Sequence, residues 1–322
     1  MRSIAASTLL LSLLGCSAAP TPEAAPKASA DDPRVEVAAS ITFTEGPTVY
    51  KDGSVFFSEM RSNRTMRYFP EDGHYETFRA DAHGANGLLF DSEWRLISCE
   101  TTPPRITRTN VETGEVEVLA DSYEGKRLHQ PNDVTFDAKG RLYFSDRPGE
   151  TIEPDQTGVF AVYRIDPDGT IDRILSSPDI QMPNGVIISP DDKILYLIEA
   201  HPDADHARMI RAYDLAEDGT VSNMRVFHDF YPGRSGDGMT IDAEGNLWVC
   251  AGLLRTRGTS ETLDTQAGVH VFAPSGERID FYPVWEDTIT NAAFGGPDLK
   301  TLYVTAGKTL FQIQSPRPGT RR

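Results

Sequence analysis

Cysteine is scarce: three residues in 322, at positions 16, 99 and 250, with no C-x-x-C pair and no His/Cys cluster at zinc-ligand spacing. A disulfide framework and a structural zinc site are excluded. Positive charge is short as well: 31 Lys and Arg stand against 48 Asp and Glu, for a formal net charge of −17, with no basic cluster beyond Arg321 and Arg322. Nucleic acid and anionic membrane faces, which are bound through concentrated cationic side chains, are excluded as partners on this ground. Missing too are the nucleophile elbow G-x-S-x-G, the Walker loop and the dinucleotide fingerprint; Gly236-Asp-Gly238 opens a strand hairpin and lacks the third glycine. Serine nucleophile chemistry has no signature here. The apolar run in residues 1–15, MRSIAASTLLLSLLG, is too short to cross a membrane as a helix and reads as a secretory signal.

What is present is repetition. A polar turn, an apolar strand, a tight turn and a second apolar strand recur six times, opening at TEGPTVY (Thr44), GANGLLF (Gly84), QPNDVTF (Gln130), MPNGVII (Met182), GDGMTI (Gly236) and TNAAF (Thr290). The second strands are SVFFSE, RLISCE, RLYFSD, ILYLIE, LWVCA and LYVTA. Repetition at about 40 to 55 residues in β-strand vocabulary predicts an all-β, six-bladed β-propeller, one blade per copy.

Each copy opens on an oxygen-bearing side chain: Glu45, Asn86, Asn132, Asn184, Asp237 and Asn291 hold matching places. If the first strand of each blade is innermost, a radial fold gathers them into a ring at one mouth of the central channel, where oxygen ligands suit a hard cation. Turn chemistry is the competing reading, since Asn, Asp and Gly open turns for conformational reasons alone. It does not account for Glu45 before Gly-Pro, nor for two carboxylates among six matched positions. Carboxylate-bearing turns such as Asp137-Ala-Lys-Gly140 lack the spaced ligands and final Glu of an EF-hand and read as hairpins.

The predicted organisation is a signal peptide at 1–15, a flexible Ala/Pro/Ser tether at 16–33, the propeller at 34–316 and a disordered tail at 317–322. Leu13-Leu14-Gly15-Cys16 has the form of a lipobox, which would make Cys16 a lipidated N-terminus on an exported, periplasmic or cell-surface protein; an ordinary signal cut near Ala18 or Ala19 is the alternative. The sixth copy has only three strands, so the strand read at Val35 to Ile41 is expected to complete that blade and close the ring. Cys99 and Cys250 then lie in opposed blades and stay free and buried.

In an antiparallel pair the second strand ends where the first began, so Glu59, Glu100, Asp146 and Glu199 are expected at the same mouth as the ring, under loops carrying His83, Arg127, His129, Arg147, His201 and Arg234. The chemistry this permits is metal-assisted hydrolysis, with Asp237 as acid/base or nucleophile between two glycines that leave approach clear.

TEGPTVY, GKRLHQPNDVTFDAKGRLYFSD, MPNGVIISPDDKILYLIEA, GDGMTIDAEGNLWVCAG and TNAAFGGPDLKTLYVTA, taken in order, resemble the blade motifs of the SMP-30/gluconolactonase family over about residues 40 to 312. The resemblance implies a divalent cation, Ca2+ with Zn2+ or Mg2+ as alternatives, held by Glu45, Asn184 and Asp237, with Asn132 touching metal or substrate and Asp237 catalytic. It implies substrate contacts from the loop holding Arg127 and His129, and an esterase-type hydrolase that opens sugar lactones such as glucono-1,5-lactone. The chain is expected to act as a monomer on a small molecule, meeting the membrane only through its anchor. Two other readings stand beside this one: a non-catalytic propeller scaffold, and a related metal-dependent hydrolase or lyase with another substrate.

Overall fold

The computed structural model describes residues 34–320 apart from 41 and 150. Six four-stranded antiparallel sheets are arranged as propeller blades, five of them stepping outward in chain order from an inner strand and the sixth taking its outermost strand from the start of the described residues. The inner strands are Thr44–Val49, Leu88–Phe90, Pro131–Phe136, Pro183–Ile188, Gly236–Ile241 and Ile289–Gly295. Second strands such as Val55–Glu59 and Leu247–Ala251 are buried at every position, because both of their faces meet a neighbouring blade. That is why they read as continuous apolar runs rather than alternating ones. Outer strands such as Tyr75–Arg79 and Val116–Ala120 are exposed over their first three residues and half-buried over the last two.

The apolar core is divided into six clusters, each at a junction between adjacent blades. Phe56, Leu88 and Phe90 fill the first junction; Cys99, Phe144 and Tyr163 the second; Tyr143, Leu195 and Leu197 the third. Ile210, Val249 and Phe272 fill the fourth, Trp248, Val304 and Phe311 the fifth, and Phe57, Met66 and Tyr303 the sixth. Cys99 and Cys250 are free and buried in separate junctions.

Ring closure follows the sequence expectation. Val35–Ser40 pairs antiparallel with Thr309–Gln314, in register Val35↔Ile313 and Ser40↔Thr309, as the outermost strand of the last blade. The first and last parts of the chain thereby share one sheet. The tail behaves differently from its composition: residues 317–320 dock on the body, with Ala243 N donating to Pro318 O at 2.9 Å and Gly319 N to Leu299 O at 2.8 Å. Main-chain bonds of this kind leave no mark in side-chain chemistry. The signal, the tether with Cys16, and residues 321–322 lie outside the described residues.

Candidate metal and catalytic site

The inner strands carry a shared irregularity at the ring. Pairing with the second strand skips Gly46–Pro47 just past Glu45, and skips Asn132–Asp133, Asn184–Gly185 and Asp237–Gly238 altogether. A bulge of this kind withdraws residues from the ladder and re-aims their side chains. Hydroxyls of the preceding blade hold the displaced backbone: Ser58 Oγ donates to Asn86 O and Ser145 Oγ to Asn184 O, each at 2.7 Å.

The residue after the ring position is glycine in four blades, and packing is the reason. A Cβ on Gly46, already at φ +45°, would sit 2.2 Å from Asn86 O of the next blade, and one on Gly238 would lie 2.1 Å from Asn291 Cγ. A Cβ on Gly236 would meet Val249 Cγ1 at 2.7 Å. The glycines beside Asp237 serve close blade contact rather than open approach, a correction to the sequence reading. Blade 3 departs from the pattern with Asp133, whose Oδ1 accepts from Asn291 Nδ2 of the opposed blade at 3.3 Å and whose Oδ2 accepts from Val186 N at 3.2 Å. A cavity of about 1910 Å³ opens from the opposite face and is lined at its inner end by this same pair. The ring side chains therefore lie between that cavity and the front mouth.

All six ring residues are buried, Glu45 at 7% exposure and Asp237 at 9%. Asp237 is held at both oxygens: Asn184 Nδ2 donates to Oδ1 at 2.7 Å, and Arg234 Nη2 donates to Oδ2 in a tight ion pair. Arg234 also donates to Ile289 O of the next blade. Burial drives the Glu45 carboxyl well above its usual range, and the charges of Asp237 and Asp133 push it the same way. Burial likewise pushes Asp133 up to about 7. Three carboxylates thus share the channel head with one bonded guanidinium, which is the electrostatic setting that a cation relieves.

No group of three or more His, Cys, Asp and Glu among the described residues could hold a metal ion, so a cation here needs the Asn amides to join the carboxylates. The donors suit that. Gly46 N bonds Glu45 Oε2 alone, Asn184 turns its amide nitrogen to Asp237, and the Asn132 side chain bonds no described residue. Oxygens of Glu45, Asn132 and Asn184 are left without protein donors, an all-oxygen set appropriate to a hard divalent ion.

The sequence-derived mouth residues divide into structural and uncommitted groups. Glu59, Glu100, Asp146 and Glu199 are fully buried; Glu59, Asp146 and Glu199 accept from loop backbone, as Asp146 does from His129 N and Gln130 N, whereas Glu100 is held by Arg79, Arg105 and Thr107. His129 is not presented to a ligand: it is 2% exposed and its Nε2 accepts from Gly158 N at 2.6 Å, so it anchors the loop after the third second-strand. Arg127 is forked onto Asp155, at 2.6 and 2.9 Å. Both side chains are thus partnered within the protein, and the Arg127–Asp155 pair joins residues 28 apart and is invisible in linear sequence. His83 bonds Thr102 O and His201 stacks on His206. Arg147 is half-buried and makes no side-chain hydrogen bond or ion pair to a described residue. Asp133 was missed by sequence reasoning, although an acid where four repeats carry glycine is a legible signal.

The fold and this ring define a six-bladed propeller whose channel head is built from oxygen donors. The chain belongs to the SMP-30/Gluconolactonase/LRE-like region family, whose model matches residues 43–308. It is similar to the gluconolactonase of Zymomonas mobilis, at 26% identity over 305 residues, covering 87% of this chain and 80% of the relative. The pentonolactonase of Haloferax volcanii is 28% identical over 269 residues, covering 81% of this chain and 80% of its own. Among solved structures, a gluconolactonase from Xanthomonas campestris superimposes with a TM-score of 0.74 at 27% identity, covering 88% and 89% of the two chains.

Proposed function

We propose that this protein is a divalent-cation-dependent lactonase that opens aldonolactones of the glucono-1,5-lactone type to the hydroxy acid. The observation that carries the reading is the pair Glu45 and Asp237, brought to one mouth by inner-strand bulges and joined there by Asn132 and Asn184. Similarity to gluconolactonases and a pentonolactonase over four fifths of the chain supports the substrate class.

Glu45, Asn184 and Asp237 would hold the cation, with Asn132 completing the set or facing the substrate. When bound, the cation supplies Lewis-acid polarisation of the lactone carbonyl. The chain's own residues do the rest. Asp237, its plane fixed by Asn184 and Arg234, takes the proton of the attacking water; the acyl C–O bond breaks, and the proton passes to the departing ring oxygen. Arg234, paired to the other oxygen of that acid, fixes its orientation toward the water.

Metal content of the chain lacking residues 1–30, paired with proton release from glucono-1,5-lactone before and after chelation, tests this. One divalent ion per chain and chelator-sensitive hydrolysis are expected. A metal-free, inactive protein would return the ring to turn chemistry and favour a binding scaffold. We further propose export and anchoring through Cys16, which the lipobox form supports; fatty-acid labelling that persists in Cys16→Ala would refute the anchor.

A further inference from the structure

The arginines around the front mouth are nearly all committed. Glu59 takes Arg64, Glu100 takes Arg79 and Arg105, Asp155 takes Arg127, Glu199 takes Arg211, and Asp237 takes Arg234. Arg208, 1% exposed, is saturated by carbonyls of His201, Pro202, Asp203 and Pro232 and by Ser260. Among the described residues, the one arginine at this face that is sheltered and unmatched is Arg147.

Its position is set by the sheet. Asp146 pairs with Pro131 at the end of the third second-strand, and Arg147 N donates to Gln130 O at 3.4 Å, so the chain leaves the ladder beside Asn132. Arg147 therefore stands at the mouth of the channel one strand away from the ring residue of blade 3, and its charge favours the ionised form of Glu45 in blade 1. A half-buried guanidinium gives up hydration, and a fork of donors without an acceptor regains it from an anion. The cation-binding oxygens and Asp237 already account for the lactone carbonyl and the water. What Arg147 lacks is an oxyanion carried elsewhere on the substrate.

We propose that Arg147 is a specificity residue for a second, anionic group on the lactone, so that the preferred substrates are lactones of dicarboxylic sugar acids or of phosphorylated aldonic acids. This rests on the lactonase reading above. The guanidinium binds either anion bidentately, and the choice between carboxylate and phosphate is left to the assay.

The experiment compares kcat/KM for glucono-1,5-lactone, glucaro-lactone and 6-phosphoglucono-lactone, with calcium present, in the unaltered protein, Arg147→Met and Arg147→Lys. The unaltered protein is expected to favour at least one anionic lactone over the neutral one by about tenfold or more, the range for a charge-assisted hydrogen bond. Arg147→Met should erase that ratio, and Arg147→Lys should keep part of it. Preference for only one of the two anions identifies the group. Hydrolysis of the neutral lactone with no anionic preference, or a preference unchanged in Arg147→Met, overturns the proposal and leaves the lactonase reading in place. A protein that binds cation and hydrolyses no lactone overturns both. Thermal melting of each variant separates misfolding from altered selectivity, and calorimetric titration with glucarate, 6-phosphogluconate and gluconate reads the same ratio without turnover.

Discussion

Arg234 and Asp237, three residues apart, are locked in an ion pair at the head of the channel, with Asn184 holding the other oxygen of the acid. The guanidinium occupies one of the carboxylate oxygens and sets a positive charge beside it, so it bears on both the orientation of the acid and the affinity for a cation. Replacing it by Met removes one of the two donors that fix the plane of the acid, so kcat for lactone hydrolysis should fall with melting unchanged. Cation affinity, measured by calorimetry, should rise because a competing positive charge is gone. Unchanged kcat and unchanged cation affinity in Arg234→Met would show that the pair does not govern the site.

Asp237→Asn keeps the shape of the side chain and removes its basicity. Turnover should fall by about 10² to 10⁴, the usual contribution of a positioned acid/base, with melting unchanged. Glu45→Ala should instead abolish the rise in melting temperature on adding calcium, since ligand binding to the native state stabilises by mass action. Full activity in both variants would end the mechanism.

His270 is 3% exposed and bonded to Gln266 O, and burial pulls its pKa down to about 4. Above pH 6.5 the ring is neutral in both folded and unfolded chains. As pH falls from about 6.5 to about 4 the unfolded chain takes up a proton that the folded one refuses, so stability is lost across that window, by up to about 3 kcal/mol. Urea unfolding of His270→Gln should show a flatter pH dependence there. Identical slopes for the two proteins would remove His270 as the cause.

Val35–Ser40 is the outermost strand of the last blade, with Val35 and Ala39 buried against the ring. A chain beginning at Thr42 exposes the Thr309–Gln314 edge and opens the sixth blade. Loss of the cooperative melt, with association on gel filtration, is expected. A monomeric truncation that melts cooperatively would show the closure to be dispensable.

The six repeats, the free thiols and the closing strand were legible in sequence because each rests on periodicity: apolar strands at regular spacing, and one blade that lacks a strand. The same periodicity aligned Glu45, Asn132, Asn184 and Asp237, whose common register survives in the bulged inner strands. Only the tertiary structure decided how these groups are partnered. Whether a mouth arginine is spent on a nearby acid, as Arg127 is on Asp155, or left open, as Arg147 is, depends on loops from different parts of the chain meeting above the channel. Asp133 reaches Asn291, 158 residues away, because a six-fold ring sets blades 3 and 6 face to face across its axis. Strand spacing is a local property written in side-chain polarity, whereas cross-channel pairing arises from closure of the whole ring.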